Sequence, residues 1–110
     1  MNKEMNGKIY DTEEANLVLS WHKELPPSYG QYSLYELYQK TDGDYFLLGR
    51  FLEEDDGYQY DKRFSIEPVT ENDAKLWAEI YFGELECLRT FGSLADKPSE
   101  KIYRVPPYTM

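Results

Sequence analysis

The sequence predicts an α+β fold: a small antiparallel sheet built around one β-hairpin, with two or three helices packed on it. Three observations carry this expectation. Residues 33–40 and 45–52 are two aromatic and aliphatic runs, and between them stands Thr41-Asp42-Gly43-Asp44, in which Asp-Gly signals a tight primed turn. Thr70, with Asp73 three residues on and Ala74, Trp77, Ala78 and Tyr81 at i, i+3, i+4 and i+7, marks a capped helix with one core-facing stripe. The length of 110 residues suits one domain with a modest core, and 41% apolar with 16% aromatic residues is too rich for a disordered chain. The expected organisation is a single domain over 1–92 and an extended C-terminal tail over 93–110.

Taken in order, Lys8-Ile9-Tyr10 reads as a short strand after a turn at Asn6-Gly7. Asp11 and Glu14 then form a capping-box-like pair, with Tyr10 and Ala15 at the staple positions and Glu13 and Glu14 placed to complement a helix dipole. Ala15, Val18, Leu19 and His22 fall on one helical face with Trp21 on its flank, so the spacing predicts a first helix, ended by Pro26-Pro27. Residues 25–31 read as loop.

In the hairpin, a two-residue loop of Asp42 and Gly43 would pair Tyr38 with Leu47, Leu37 with Leu48 and Leu34 with Phe51. One face would then carry Leu34, Tyr38, Leu47 and Phe51, and the other Tyr35, Leu37, Phe46 and Leu48. Both faces are largely apolar. Either helices cover both sides, or one face is an aromatic patch for a partner.

Residues 53–63, EEDDGYQYDKR, read as a polar loop or a ragged continuation of the hairpin. Residues 64–68 read as another short strand, with Pro68 at its end or on an edge. The capped second helix starts at Thr70, with Val69 and Ala74 as its staple, and Gly83 breaks it. Residues 84–91 form a short third helix with Leu85, Leu88 and Phe91 apolar, stopped by Gly92. The tail carries Ile102, Tyr103, Val105 and Tyr108 as its docking residues, if it docks.

The formal net charge is -9, from 21 acids against 12 bases, and the densest run is Glu53-Glu54-Asp55-Asp56. Acid on this scale argues against direct binding of nucleic acid, which needs net cation. It fits a protein that approaches a basic surface, or one kept soluble by its charge. Eleven tyrosines supply amphipathic rings for a core rim or a contact surface. The single cysteine excludes an intrachain disulfide, and the chain has neither an apolar leader nor a run of the roughly 20 apolar residues of a membrane helix. The expectation is a cytoplasmic protein that does not enter membranes.

Little in the sequence suggests catalysis. His22 and Cys87 are single, and no local signature pairs them as base and nucleophile. Asp42 and Asp44 begin a calcium-loop alternation that Phe46 breaks, and one His with one Cys does not make a structural zinc site. Isolated glycines form no phosphate loop. No cofactor, metal or catalytic residue is expected, and the chain is read as a non-enzyme.

The acid itself remains, as a solvated surface or as a row of carboxylates that imitates phosphates in a cationic groove. The members of such a row are Asp42, Asp44, Glu53, Glu54, Asp55, Asp56 and Asp61, with Tyr58 and Tyr60 adding apolar contact. In a regular hairpin the tip acids and the loop acids stand at opposite ends.

Several segments carry a resemblance: residues 6–15 (NGKIYDTEEA), 34–40 (LYELYQK), 43–49 (GDYFLLG), 68–79 (PVTENDAKLWAE) and the close from Glu86 to Gly92. Together they resemble a group of small proteins from phages and integrative elements of Gram-positive bacteria. The likeness runs over residues 6–92 and rests on core and turn positions. Many members have a Gly-rich stretch where this chain has EEDDGYQYDKR, and the tail here is longer. Small acidic proteins of such elements often inhibit host defences. The resemblance therefore implies an inhibitor of the anti-CRISPR or anti-restriction kind, with a basic host protein, most plausibly a CRISPR nuclease, as partner. The alternative expectation is a protein-interaction module that uses the aromatic hairpin face.

Overall fold

A computed structural model of the chain describes residues 1–24, 31–55 and 58–96, with backbone only at 23–24, 31–32, 53–55 and 58–63. The fold is α+β. Strands β1 (Asn2–Met5) and β2 (Lys8–Asp11) form an N-terminal hairpin, and β3 (Ala15–Glu24), β4 (Gln31–Lys40), β5 (Tyr45–Asp55) and β6 (Tyr58–Val69) form an antiparallel sheet in that order. Helices α1 (Glu71–Phe82) and α2 (Glu84–Phe91) follow.

The first hairpin turns on Asn6 and Gly7 at φ 53 and φ 76. This pair of positive φ values is what a two-residue primed turn requires, and it is why Asn-Gly recurs there. Asp11 does cap, accepting a bond from the Glu13 N–H at 3.0 Å, but the turn it caps is a single 3-10 turn over Thr12–Glu14.

The chain from Ala15 to Glu24 is strand, which corrects the expected first helix. Pairing runs Leu17 to Tyr38 and then Leu19 to Leu37, so Val18 is an extra residue in a β-bulge. The bulge breaks the two-residue alternation and places Val18 and Leu19 together in one core cluster, where a plain strand would point them apart. That break is what imitates helical spacing. His22 consequently lies in a strand opposite Leu34.

The β4–β5 hairpin forms with its register one residue away from the expected one. Lys40 and Asp44 pair through Lys40 N–H to Asp44 O at 2.7 Å, and Gly43 N–H bonds Lys40 O at 2.9 Å. The loop therefore has three residues, the last of them Gly43 at φ 97, a conformation that costs glycine little. Tyr38 thus faces Phe46, Leu37 faces Leu47 and Leu34 faces Arg50. A one-residue slip exchanges the partners on each face. Tyr35 and Leu37 share a face with Leu47, while Leu34 and Tyr38 share the other with Phe46 and Leu48.

Each face has its own core. On one, Tyr35, Leu37 and Tyr45 pack with Ala74 and Trp77 of α1, joined by Leu19, Trp21, Tyr81 and Phe91. On the other, Phe46, Leu48 and Ile66 pack with Tyr10 of the N-terminal hairpin, joined by Met1, Met5 and Tyr38. Helices therefore cover one side and the small hairpin covers part of the second.

Strand β6 is the ragged continuation allowed for by the sequence, and it begins at Tyr58. Its register shifts at Lys62, between Phe51 opposite Arg63 and Leu52 opposite Asp61. Both edge strands of the sheet thus contain a bulge, and Pro68 lies on the β6 edge, devices that discourage pairing with another chain. Helix α1 starts as expected, with Thr70 Oγ1 accepting the Asp73 N–H at 3.1 Å, and Gly83 and Gly92 end the two helices through bonds to Glu79 O and Leu88 O. No helix among the described residues is long and apolar enough to cross a membrane.

Candidate functional site

The acidic residues singled out in the sequence fall at the two ends of β5. Asp42 and Asp44 stand in the β4–β5 turn. Glu53, Glu54 and Asp55 end β5, and the register sets them opposite Tyr60, Gln59 and Tyr58 of β6, with Asp61 opposite Leu52. The run of acids and the two tyrosines that follow it are thus folded onto one another as the last rungs of a two-stranded ladder. Asp56 lies outside the described residues.

The two groups are well separated. Nine strand residues from Asp44 to Glu53 span about 30 Å at about 3.3 Å per residue, roughly three Debye lengths at 0.1 M salt. They do not act as one charged row.

The turn acids have local duties. Asp42 Oδ1 accepts the Asp44 N–H at 2.9 Å, and its Oδ2 lies 3.4 Å from Lys40 Nζ. That backbone bond first, and then the lysines, hold the Asp42 carboxyl below its usual range. Asp44 Oδ2 pairs with Lys8 Nζ at 2.9 Å, tying the N-terminal hairpin to the turn, and the pair raises the Lys8 ammonium pKa. Lys40 also lies over the Tyr10 ring, 4.7 Å from its centroid. Two acids and two lysines here build a local, internally neutralised network. Sequence reasoning missed the lysines, because only the folded hairpin brings Lys8 to the turn.

The aromatic hairpin face is not a surface. Tyr35 is 1% and Phe46 0% exposed, and they belong to opposite cores. This corrects the expectation that these two rings form a contact patch.

Cys87 and His22 do not meet. Trp21 packs on the helix face, so its strand neighbour His22 points to the other side of the sheet, whereas Cys87 is buried between α1 and α2. The Cys87 thiol reaches the Lys75 and Ser93 carbonyls at 3.5 Å each, and burial, reinforced by Glu79, pushes its pKa up, away from a reactive thiolate. Among the described residues, no group of three His, Cys, Asp or Glu side chains is placed to hold a metal ion.

Comparison with family models, with curated proteins and with solved structures gave no match.

Proposed function

We propose that the chain is a non-enzymatic inhibitor from a phage or mobile element, which presents the acidic end of the β5–β6 hairpin to the cationic groove of a host nucleic-acid-binding defence enzyme. A CRISPR nuclease is the foremost candidate. The observation that carries the reading is the register at that end, which gathers Glu53, Glu54, Asp55 and Asp61 with Tyr58 and Tyr60 on two adjacent strands. Successive strand residues rise by about 3.3 Å, close to the roughly 3.4 Å of axis per phosphate on one strand of a duplex. Because successive residues alternate between faces, residues two apart share one at about 6.6 Å, so acids along one strand face repeat at the axial spacing of every second phosphate. The net charge of -9 favours encounter with a cationic groove over a wide range of approach. Asp42 and Asp44 are left out of this surface, because they are engaged with Lys8 and Lys40.

The test begins with the folded protein as bait in a host lysate, washed at low and high salt, followed by assay of any retained nuclease. Inhibition is expected to weaken strongly between 0.1 and 1 M salt, over which the Debye length falls from about 10 to about 3 Å. Exchange of Glu53, Glu54, Asp55 and Asp56 for lysine changes the formal charge by eight, from -9 to -1, and is expected to abolish inhibition. A folded quadruple variant that inhibits as well as the parent protein would refute the proposal.

A further inference from the structure

Helix α2 has four apolar side chains and turns two of them outward. Cys87 is fully buried and Phe91 packs on Tyr45, with ring centroids 5.8 Å apart. Leu85 and Leu88, three residues apart and therefore neighbours on the helix surface, are 70% and 43% exposed. The charges on the same helix are ordered: Glu84 and Glu86 lie in its first turn and Arg89 in its last.

We infer that this face pairs with α2 of a second copy of the chain, antiparallel and about a two-fold axis. Charge complementarity selects that occupant. A uniformly basic partner would meet Arg89, and a uniformly acidic one would meet Glu84 and Glu86. An antiparallel copy presents its basic end to the acidic end and its acidic end to the basic end. Leu85 then packs against Leu88 of the second copy, and Arg89 faces the acidic first turn of the second helix. Symmetry repeats both contacts. The antiparallel arrangement also sets the two helix dipoles in opposition, which favours the pair. Within each chain Arg89 already reaches Glu86 at 3.1 Å, so its guanidinium is held at the edge of the apolar stripe. An eight-residue helix is about 12 Å long, which puts the contact at the small end of protein interfaces, so association depends on concentration. The inference does not rest on the proposed inhibition.

Sedimentation equilibrium of the full chain from about 10 µM to about 1 mM, the range in which small contacts associate, tests it. The mass is expected to rise from 13.0 kDa toward twice that value. Leu85→Glu is expected to stay monomeric with an unchanged circular dichroism spectrum. Arg89→Glu alone and Glu86→Arg alone are each expected to lose association, because like charges then meet at both crossings. Their equimolar mixture is expected to regain it, because opposite charges meet again. A monomer at every concentration overturns the inference, whether another protein or residues 97–110 of the same chain cover the face. A dimer that Leu85→Glu leaves intact, or a mixture that stays monomeric, also overturns it.

Discussion

On one face of the sheet Tyr35, Leu37, Tyr45 and Leu47 lie beneath two helices, and on the other Phe46, Leu48 and Ile66 lie beneath a hairpin of two four-residue strands. The helix cover is continuous in sequence with β6 and is anchored by a capped first turn and an array of rings: Trp21 on Tyr81 at 4.9 Å, Trp77 on Tyr81 at 5.4 Å and Trp77 on Phe82 at 5.7 Å. Among the described residues, the hairpin cover shares no ladder with the sheet. It is held by side chains: Tyr10 edge-on to Phe46 at 5.6 Å, Lys40 against the same tyrosine, and the Lys8–Asp44 pair. Comparable burial is thus reached with unequal connection to the sheet. One cover is integral to the sheet's own chain path, and the other is an arm laid across it.

The sharpest way to break this comparison is to empty each core in turn. Phe46→Ala and Trp77→Ala are each expected to cost about 3–5 kcal/mol, read as a fall in the urea midpoint at constant slope. A much smaller loss for Phe46 would mean that the hairpin side is not a core. Next, Tyr10→Ala is expected to cost about 1.5–3 kcal/mol and to speed amide exchange in residues 2–11 while leaving α1 protected. Uniform acceleration across both covers would show that the arm unfolds only with the whole. Thr70→Ala removes the α1 cap and is expected to cost about 1 kcal/mol, measured by thermal unfolding, with Thr70→Ser restoring most of it.

The smallest expected effect comes from pH. Burial raises the Tyr81 and Tyr45 pKa values, with Glu71 adding to the latter. Their contribution to stability is constant below the unfolded tyrosine value of about 10 and falls as pH rises through the raised folded values. Lys8, raised by Asp44, loses its contribution in the same direction above about 10.4. Alkaline titration followed by tyrosinate absorbance and near-ultraviolet circular dichroism is expected to show both covers loosening on that side of neutrality.

The two covers also differ in how far they could be read in the sequence. Helix α1 was legible because Thr70, Asp73 and the Ala74, Trp77, Ala78, Tyr81 stripe state one local answer, and Gly83 and Gly92 close the two helices where expected. In α2 the apolar stripe misled in part, since Cys87 rather than Leu85 or Leu88 takes the core. The hairpin cover was half legible: Asn6-Gly7 announces its turn, but nothing local says that Tyr10 will seat on Phe46. Strand β3 was illegible for a definite reason. Its cap at Asp11 is real, and its apolar spacing is that of an alternation interrupted at Val18. The hairpin register went astray by one residue because Gly43 serves as the third loop position and not the second. At the candidate site, composition already exposed the acids and their separation into two ends. Their union with Tyr58 and Tyr60 depends on β6 pairing all the way to Asp55, which is a matter of strand register and carries no residue signature.

The extra residue at Val18 lets one strand serve two layers. Ala15 belongs to the hairpin-side core, and Leu19 and Trp21 belong to the helix-side core, although all three occupy odd positions. Strand β3 therefore behaves like a message with a frameshift built into it. Excising Val18 would restore the frame: Leu17 opposite Tyr38 and Leu19 opposite Leu37 would become neighbours in a plain alternation, and every remaining side chain would keep its layer. Val18 is thus a position at which β3 can lose a residue, whereas deleting Ser20 would send either Leu19 or Trp21 to the hairpin side.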